Sequence, residues 1–212
     1  MGVLIKMCGF TREEDVERAC ELGVELVGVI LVPGSPRRVS LERARELFRK
    51  VGGRARTVAV LRPERPEEVW EVYRRVGPEV LQVNPLFPLR ELGRREGGEL
   101  IVTVPVPPSP GEEVWRRARE AEEVGDCVLL DTAGPLGGGT GEPHDWSVSR
   151  RVRESLRKPV FLAGGLHPGN VKRALREVRP DGVDVSSGIE VSPGIKDVKL
   201  MREFVEAVRG SS

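Results

Sequence analysis

The sequence predicts a closed eight-stranded parallel α/β barrel, the (β/α)8 or TIM-barrel class. Short β-branched apolar runs alternate with amphipathic helical patterns along the whole chain, which is the signature of a parallel sheet with crossover helices. Several of these runs are continuously apolar, as strands buried on both faces are. The alternation is read eight times, enough units to close a barrel, and 212 residues lie at the small end of that class. An open doubly wound sheet would carry GxGxxG after its first strand, where Cys8-Gly9-Phe10 stands instead. No polar linker interrupts the pattern, so residues 1–212 are expected to form a single domain.

The first strand is expected over Val3–Cys8. A helix follows over Thr11–Gly23, with Thr11 as N-cap, Glu14 completing a capping box, and Gly23 as the stop. Leu26–Val32 is the second strand. Ser40–Val51 is a helix with Leu41, Ala44, Leu47, Phe48 and Val51 on one face. Thr57–Leu61 and Val80–Val83 are strands flanking a helix at Pro66–Val76, and a short helix is expected around Leu89–Arg95. Strand Leu100–Val106, helix Glu112–Val124, strand Cys127–Asp131 and helix Trp146–Leu156 continue the series. Strand Pro159–Ala163, helix Pro168–Val178, strand Gly182–Val185 and helix Asp197–Val208 complete it.

Composition excludes several functions. Lys plus Arg number 34 against 33 Asp plus Glu, a balance that argues against a dedicated nucleic-acid or membrane-surface binder. The longest uncharged apolar run, Leu26–Pro33, falls far short of the ~20 residues that cross a bilayer. Cys8, Cys20 and Cys127 show no CxxC spacing, and His144 and His167 are two isolated histidines, so no metal site is expected. No secretory signal is visible at the start of the chain, and a cytoplasmic location is expected. Arg far outnumbers Lys, and Asn84, Asn170 and Gln82 are the only side-chain amides, a bias that suits a thermophile.

Chemistry in such barrels gathers at the C-terminal ends of the strands. The first strand ends in Lys6-Met7-Cys8-Gly9. Cys8 there is either a base or nucleophile, if its thiolate is favoured, or a small buried apolar residue. The sixth ends in Leu129-Leu130-Asp131-Thr132, where Asp131 is either a general acid or base or a loop cap. A long glycine-rich loop, Gly137-Gly138-Gly139-Thr140-Gly141, leads to His144-Asp145-Trp146. The seventh and eighth strands end in Ala163-Gly164-Gly165 and Asp184-Val185-Ser186-Ser187-Gly188. Paired glycines and hydroxyls at these two ends suit a phosphate, which barrels commonly hold between those loops. Arg37 and Arg38 follow the second strand as a carboxylate or phosphate clamp, or as a solvated basic loop. Trp70 and Trp115 read as helix-packing residues.

Taken together, IKMCGFTREEDV, VPGSPRRVS, LLDT with GGGTGEPHDW, FLAGGLHPGNV and GVDVSSGIEVSPGIKD closely resemble the phosphoribosylanthranilate isomerase family over residues 4–205. The resemblance implies an aldose–ketose isomerase of tryptophan biosynthesis. Its reaction is the Amadori rearrangement of N-(5-phosphoribosyl)anthranilate, with no cofactor and no metal. It implies Cys8 as general base, Asp131 as general acid and Arg37 on the anthranilate carboxylate. Asp184 would organise the site, and Gly164, Gly165, Ser186, Ser187 and Gly188 would cradle the phosphate. Where the family usually reads VQLHG, this chain has Leu81-Gln82-Val83-Asn84-Pro85. Asn84 can still donate a hydrogen bond to substrate but cannot carry a charge. The expected partner is a phosphorylated small molecule, met by a monomer or a homodimer. Another sugar-phosphate isomerase on the same barrel would usually carry two aspartates, against Cys8 here. A catalytically silent barrel that binds a phosphorylated ligand is the reading of a different class.

Overall fold

In the computed structural model, which describes residues 2–93, 95–134 and 143–210, eight parallel strands pair in sequence order and the eighth pairs back to the first. They are β1 (Leu4–Cys8), β2 (Leu26–Ile30), β3 (Arg56–Leu61), β4 (Val80–Val83), β5 (Glu99–Val106), β6 (Cys127–Thr132), β7 (Val160–Leu162) and β8 (Gly182–Val185). Closure is made by the register Leu4 to Gly182 and Lys6 to Asp184. The helices are α1 (Glu13–Glu21), α2 (Leu41–Val51), α3 (Pro66–Val76), α4 (Glu112–Val124), α5 (Trp146–Ser155), α6 (Val171–Val178) and α7 (Val198–Arg209). After β8 the chain makes a small antiparallel hairpin, β9 (Glu190–Ser192) and β10 (Ile195–Lys196), which the sequence reading does not contain.

The period of two along each strand divides the core. Ile5, Met7, Val27, Val29, Leu81, Val83, Val128 and Leu130 face the helices. Leu26, Val58, Val80, Ile101, Leu129 and Phe161 pack inside the barrel. Toward the C-terminal ends, the inward positions in the same alternation turn polar: Lys6 and Cys8 on β1, Gln82 on β4, Thr103 on β5, Asp131 on β6 and Asp184 on β8. The barrel therefore has an apolar inner layer and an ionisable mouth.

Three local expectations are corrected. The segment after β4 forms only a 3-10 turn at Leu89–Leu92, in place of the helix expected over Leu89–Arg95. The turn ends at Gly93, whose positive φ breaks the helical run. The N-cap of α1 is Arg12, without a side-chain cap, and Thr11 sits one residue earlier with its hydroxyl turned to the hairpin, donating to the Gly194 carbonyl at 2.6 Å. Helix α6 starts at Val171 rather than Pro168, because Asn170 spans the loop: its Oδ1 accepts from His167 N at 2.8 Å, and its Nδ2 donates to the Gly165 carbonyl at 2.8 Å. Elsewhere capping follows the sequence. Ser40 accepts from Arg43 N, and Asp197 from Lys199 N and Leu200 N.

Candidate active site

The mouth of the barrel encloses a cavity of about 200 Å³. Its walls include Cys8, Arg37, Asn84, Asp131, Asp184 and Ser186, so six of the residues singled out from the sequence meet in one space. Among the described residues no helix is long and apolar enough to cross a membrane.

Cys8 ends β1 and is 5 % exposed. Burial pushes its thiol up, while the ammonium of Lys6 pulls it down. Lys6, two residues earlier on the same inward face, is fully buried. Its Nζ donates to both oxygens of Asp184 at 2.9 and 3.0 Å. Burial alone would lower Lys6, but Asp184 and Cys8 outweigh it and hold the ammonium above its ordinary value. The other two cysteines are core residues. Cys20 packs on the apolar face of α1, and burial pushes Cys127 up to about 12.

Asp131 opens onto the cavity from β6. Burial, and then the neighbouring Asp184 carboxylate, push it up to about 7. Such a carboxyl carries its proton near neutral pH, which suits a general acid. Gln82 and Thr103 lie on the same stretch of wall, with Gln82 Nε2 donating to Thr103 Oγ1 at 3.2 Å and Gln82 Oε1 buried without a hydrogen bond. Asn84 accepts from Arg117 NH2 of α4 at 3.2 Å, which ties the mouth to the outer helix layer.

Arg37 reaches the cavity already engaged. Its Nε and NH2 donate to the Glu190 carboxylate at 3.0 and 2.7 Å. Lys196 of β10 donates to that carboxylate at 2.8 Å, to the Cys8 carbonyl at 2.5 Å and to the Ser186 carbonyl at 3.2 Å. The hairpin thereby ties the end of β1 to the end of β8. The loops after β7 and β8 are in contact: Gly188 lies so close to the Leu166 carbonyl that a side chain there would collide with it. Gly164 and Gly165 both take left-handed conformations, and the Ser186 hydroxyl is buried without a hydrogen bond. Ser187 opens a 3-10 turn, Ser187–Ile189. Residues 137–141 of the glycine-rich loop lie outside the described residues. At its far end, His144 bridges Thr132 Oγ1 at 3.0 Å and Ser149 Oγ at 2.5 Å, and burial lowers it to about 4.

Lys6, Gln82, Thr103, Glu190 and Lys196 have no assigned role in the sequence reading. A signal for Lys6 does exist in the strand: a lysine at an inward position of an apolar run, on the same face as Cys8. Glu190 and Lys196 carry no local signal, since their role depends on a hairpin folding back across the mouth.

A (β/α)8 barrel with a carboxyl, a thiol and a buried lysine–aspartate pair in one polar mouth defines the class as a barrel enzyme. The family model for N-(5'-phosphoribosyl)anthranilate (PRA) isomerase matches residues 5–207, and the chain belongs to that family of isomerases in tryptophan biosynthesis. Among its relatives, the N-(5'-phosphoribosyl)anthranilate isomerase of Methanopyrus kandleri is 42% identical, covering 98% of this chain and 99% of its own. That of Methanocella arvoryzae is 39% identical, covering 97% of each. The crystal structure of the Thermotoga maritima phosphoribosyl anthranilate isomerase superposes with a TM-score of 0.85 at 34% identity, over 98% of this chain and 99% of its own. A phosphoribosyl anthranilate isomerase solved in complex with reduced 1-(o-carboxyphenylamino)-1-deoxyribulose 5-phosphate superposes at 0.83 with 33% identity, over 98% and 99%.

Proposed function

We propose that this chain converts N-(5-phosphoribosyl)anthranilate into 1-(2-carboxyphenylamino)-1-deoxyribulose 5-phosphate, with Asp131 as general acid and Cys8 as general base. The observation that carries the reading is that both groups line one small cavity at the C-terminal mouth, with Asp131 raised to about 7. Protonated Asp131 gives its proton to the ribose ring oxygen. The C1′–O bond breaks and the nitrogen lone pair forms a Schiff base. The Cys8 thiolate takes the C2′ proton, and the electron pair moves to give an enolamine, which tautomerises to the ketone. Each positioned group typically contributes about 10²–10⁴-fold.

Anchoring supplies the remaining orientation. The phosphate sits among Gly164, Gly165, Ser186, Ser187 and Gly188, where the two loops meet. The anthranilate carboxylate meets Arg37 through donors not used by Glu190, and Asn84 donates to the substrate from the opposite wall. Asp184 organises the floor through Lys6. We further read residues 1–212 as one domain of a cytoplasmic, thermophilic protein. Pairs such as Arg150–Glu154 and Arg173–Glu177 on the amide-poor surface support the last point. One unfolding transition above the roughly 45–65 °C of mesophile domains is expected.

The test is fluorescence-followed turnover of N-(5-phosphoribosyl)anthranilate by the wild type, Cys8→Ser and Asp131→Asn. Turnover in the wild type, lost by orders of magnitude in both folded variants, is expected. An inactive, folded wild type would sink the assignment. An active Cys8→Ser would sink the role of Cys8 alone.

A further inference from the structure

The floor of the site holds a feature that the acid and the base do not account for. Lys6 has no exposed surface, and lysine is almost never fully buried unless paired. Its partner Asp184 binds it through both carboxylate oxygens. A buried ion pair is weak support for a fold, since an apolar pair of similar volume is often as stable or more so. The pair does, however, lie directly against the thiol. Lys6 and Cys8 share the inward face of β1, and both reach the space left by Gly28 on β2. A Cβ on Gly28 would stand 2.9 Å from Cys8 Sγ and 3.3 Å from Lys6 Nζ.

We propose that Lys6 is a positioning residue of the isomerisation: its ammonium, held by Asp184 against the Cys8 thiol, supplies the positive charge that lets Cys8 release its proton to water and act as base. The proposal rests on the reading of Cys8 as the base. The charges around Cys8 come from four sides. Lys6 is on β1, Asp184 on β8, and Lys196 on β10 sits on the Cys8 carbonyl, with Glu190 and Arg37 behind it. Asp131 on β6 is coupled to both Asp184 and Lys6. The Lys6 ammonium favours the thiolate, and the Asp184 carboxylate opposes it. The two partners of one ion pair therefore act on Cys8 with opposite signs, so replacing each in turn reads its charge separately.

The experiment measures alkylation of Cys8 by iodoacetamide as a function of pH, with the Cys8 peptide followed by mass spectrometry. The samples are the wild type, Lys6→Met and Asp184→Asn, with the Cys20 peptide as internal control. An opposite charge at this range moves a pKa by about 1–3 units, so Lys6→Met should slow Cys8 alkylation at pH 8 about tenfold or more and move its midpoint up. Asp184→Asn should move the midpoint down and speed the reaction. Cys20 should change in neither. A Cys8 midpoint unmoved in Lys6→Met overturns the proposal, as does movement in the same direction in both variants, which is what a loosened barrel would give. If Lys6→Met does not fold, Lys6→Gln, which keeps a polar group beside Asp184 but removes the charge, takes its place, and an unmoved Cys8 midpoint in it overturns the proposal. Failure of the base reading shows separately, as retained turnover in Cys8→Ser, because alkylation is read without turnover.

Discussion

Gly28 stands beside Cys8 with no room for a single further carbon: a Cβ there would lie 2.9 Å from the sulfur. The glycine keeps ordinary strand geometry, so space and not backbone conformation requires it. Both obstructing atoms belong to the site, since Lys6 Nζ is 3.3 Å away. Gly28→Ala is therefore expected to displace the thiol. We predict a loss of turnover of at least tenfold, and destabilisation of about 1–3 kcal/mol, the usual cost of overpacking. Steady-state kinetics and a denaturant melt check both. Wild-type turnover in the variant would show that the thiol has slack that the structure does not suggest.

The proposed acid and base have crossed protonation preferences. Asp131 is raised to about 7, and burial pushes Cys8 above an ordinary thiol. The proposed mechanism needs Asp131 protonated and Cys8 ionised, which is the minor arrangement between the two titrations. The expected kcat/KM profile is a bell with its acidic limb near pH 7 and its other limb on the alkaline side of an ordinary thiol. Because both groups titrate beside the Lys6–Asp184 pair, a limb is assigned by variant and not by value. Asp131→Asn should retain little activity, and that remainder should rise with pH through the Cys8 titration with no inflection near 7. A flat profile from pH 6 to 9 in the wild type would contradict this arrangement.

Asp131 also links stability to pH. Its folded value, about 7, lies above the ordinary carboxyl range near 3.8. The folded state holds the proton more tightly, so this contribution is fully present below about pH 4 and is lost as pH rises to about 7. The size is on the order of a few kcal/mol, reduced by the open side of the cavity. Asp131→Asn should thus be more stable than the wild type at pH 8 and about equal to it at pH 4. Thermal melts across that range decide the sign.

His144 should act in the opposite direction. Burial lowers it to about 4 from the ordinary 6.5. Its contribution is present above about pH 6.5 and lost as pH falls toward 4, because the unfolded chain takes up the proton first. His144→Leu should flatten stability between pH 4 and 6.5. At pH 8 it should cost about 1–3 kcal/mol, since Thr132 and Ser149 each lose a hydrogen-bond partner. A variant melting like the wild type at pH 8 would contradict the bridging role.

The Arg37–Glu190–Lys196 network makes a prediction about KM. Glu190→Gln removes the carboxylate that pins Arg37 and leaves Lys196 buried without its counter-ion. Breaking a buried pair typically costs about 3–5 kcal/mol. We predict a loss of stability of that order and a KM rise larger than the fall in kcat, because Arg37 loses its orientation before the acid or base is touched. An unchanged KM would place Arg37 away from the substrate.

Much of the barrel was legible because its causes are local. Continuous apolar strands, helix faces at a 3.6-residue period and stops such as Gly52 after α2 are properties of neighbouring residues. The order of the strands around the barrel follows from their order in the chain, since parallel crossovers are short and right-handed. Cys8 and Asp131 were legible because a polar residue after an apolar strand run points to the mouth, and Asp184 through the resemblance of GVDVSSGIE to the family. Tertiary structure decided what depends on distant partners. Thr11 turns its hydroxyl to Gly194, and Arg37 arrives already held by Glu190, more than a hundred residues away. Lys6 is charged inside a barrel because Asp184 stands beside it in register. Period and propensity are read along the chain, whereas the charge a buried group can keep depends on partners brought to it by closure of the sheet.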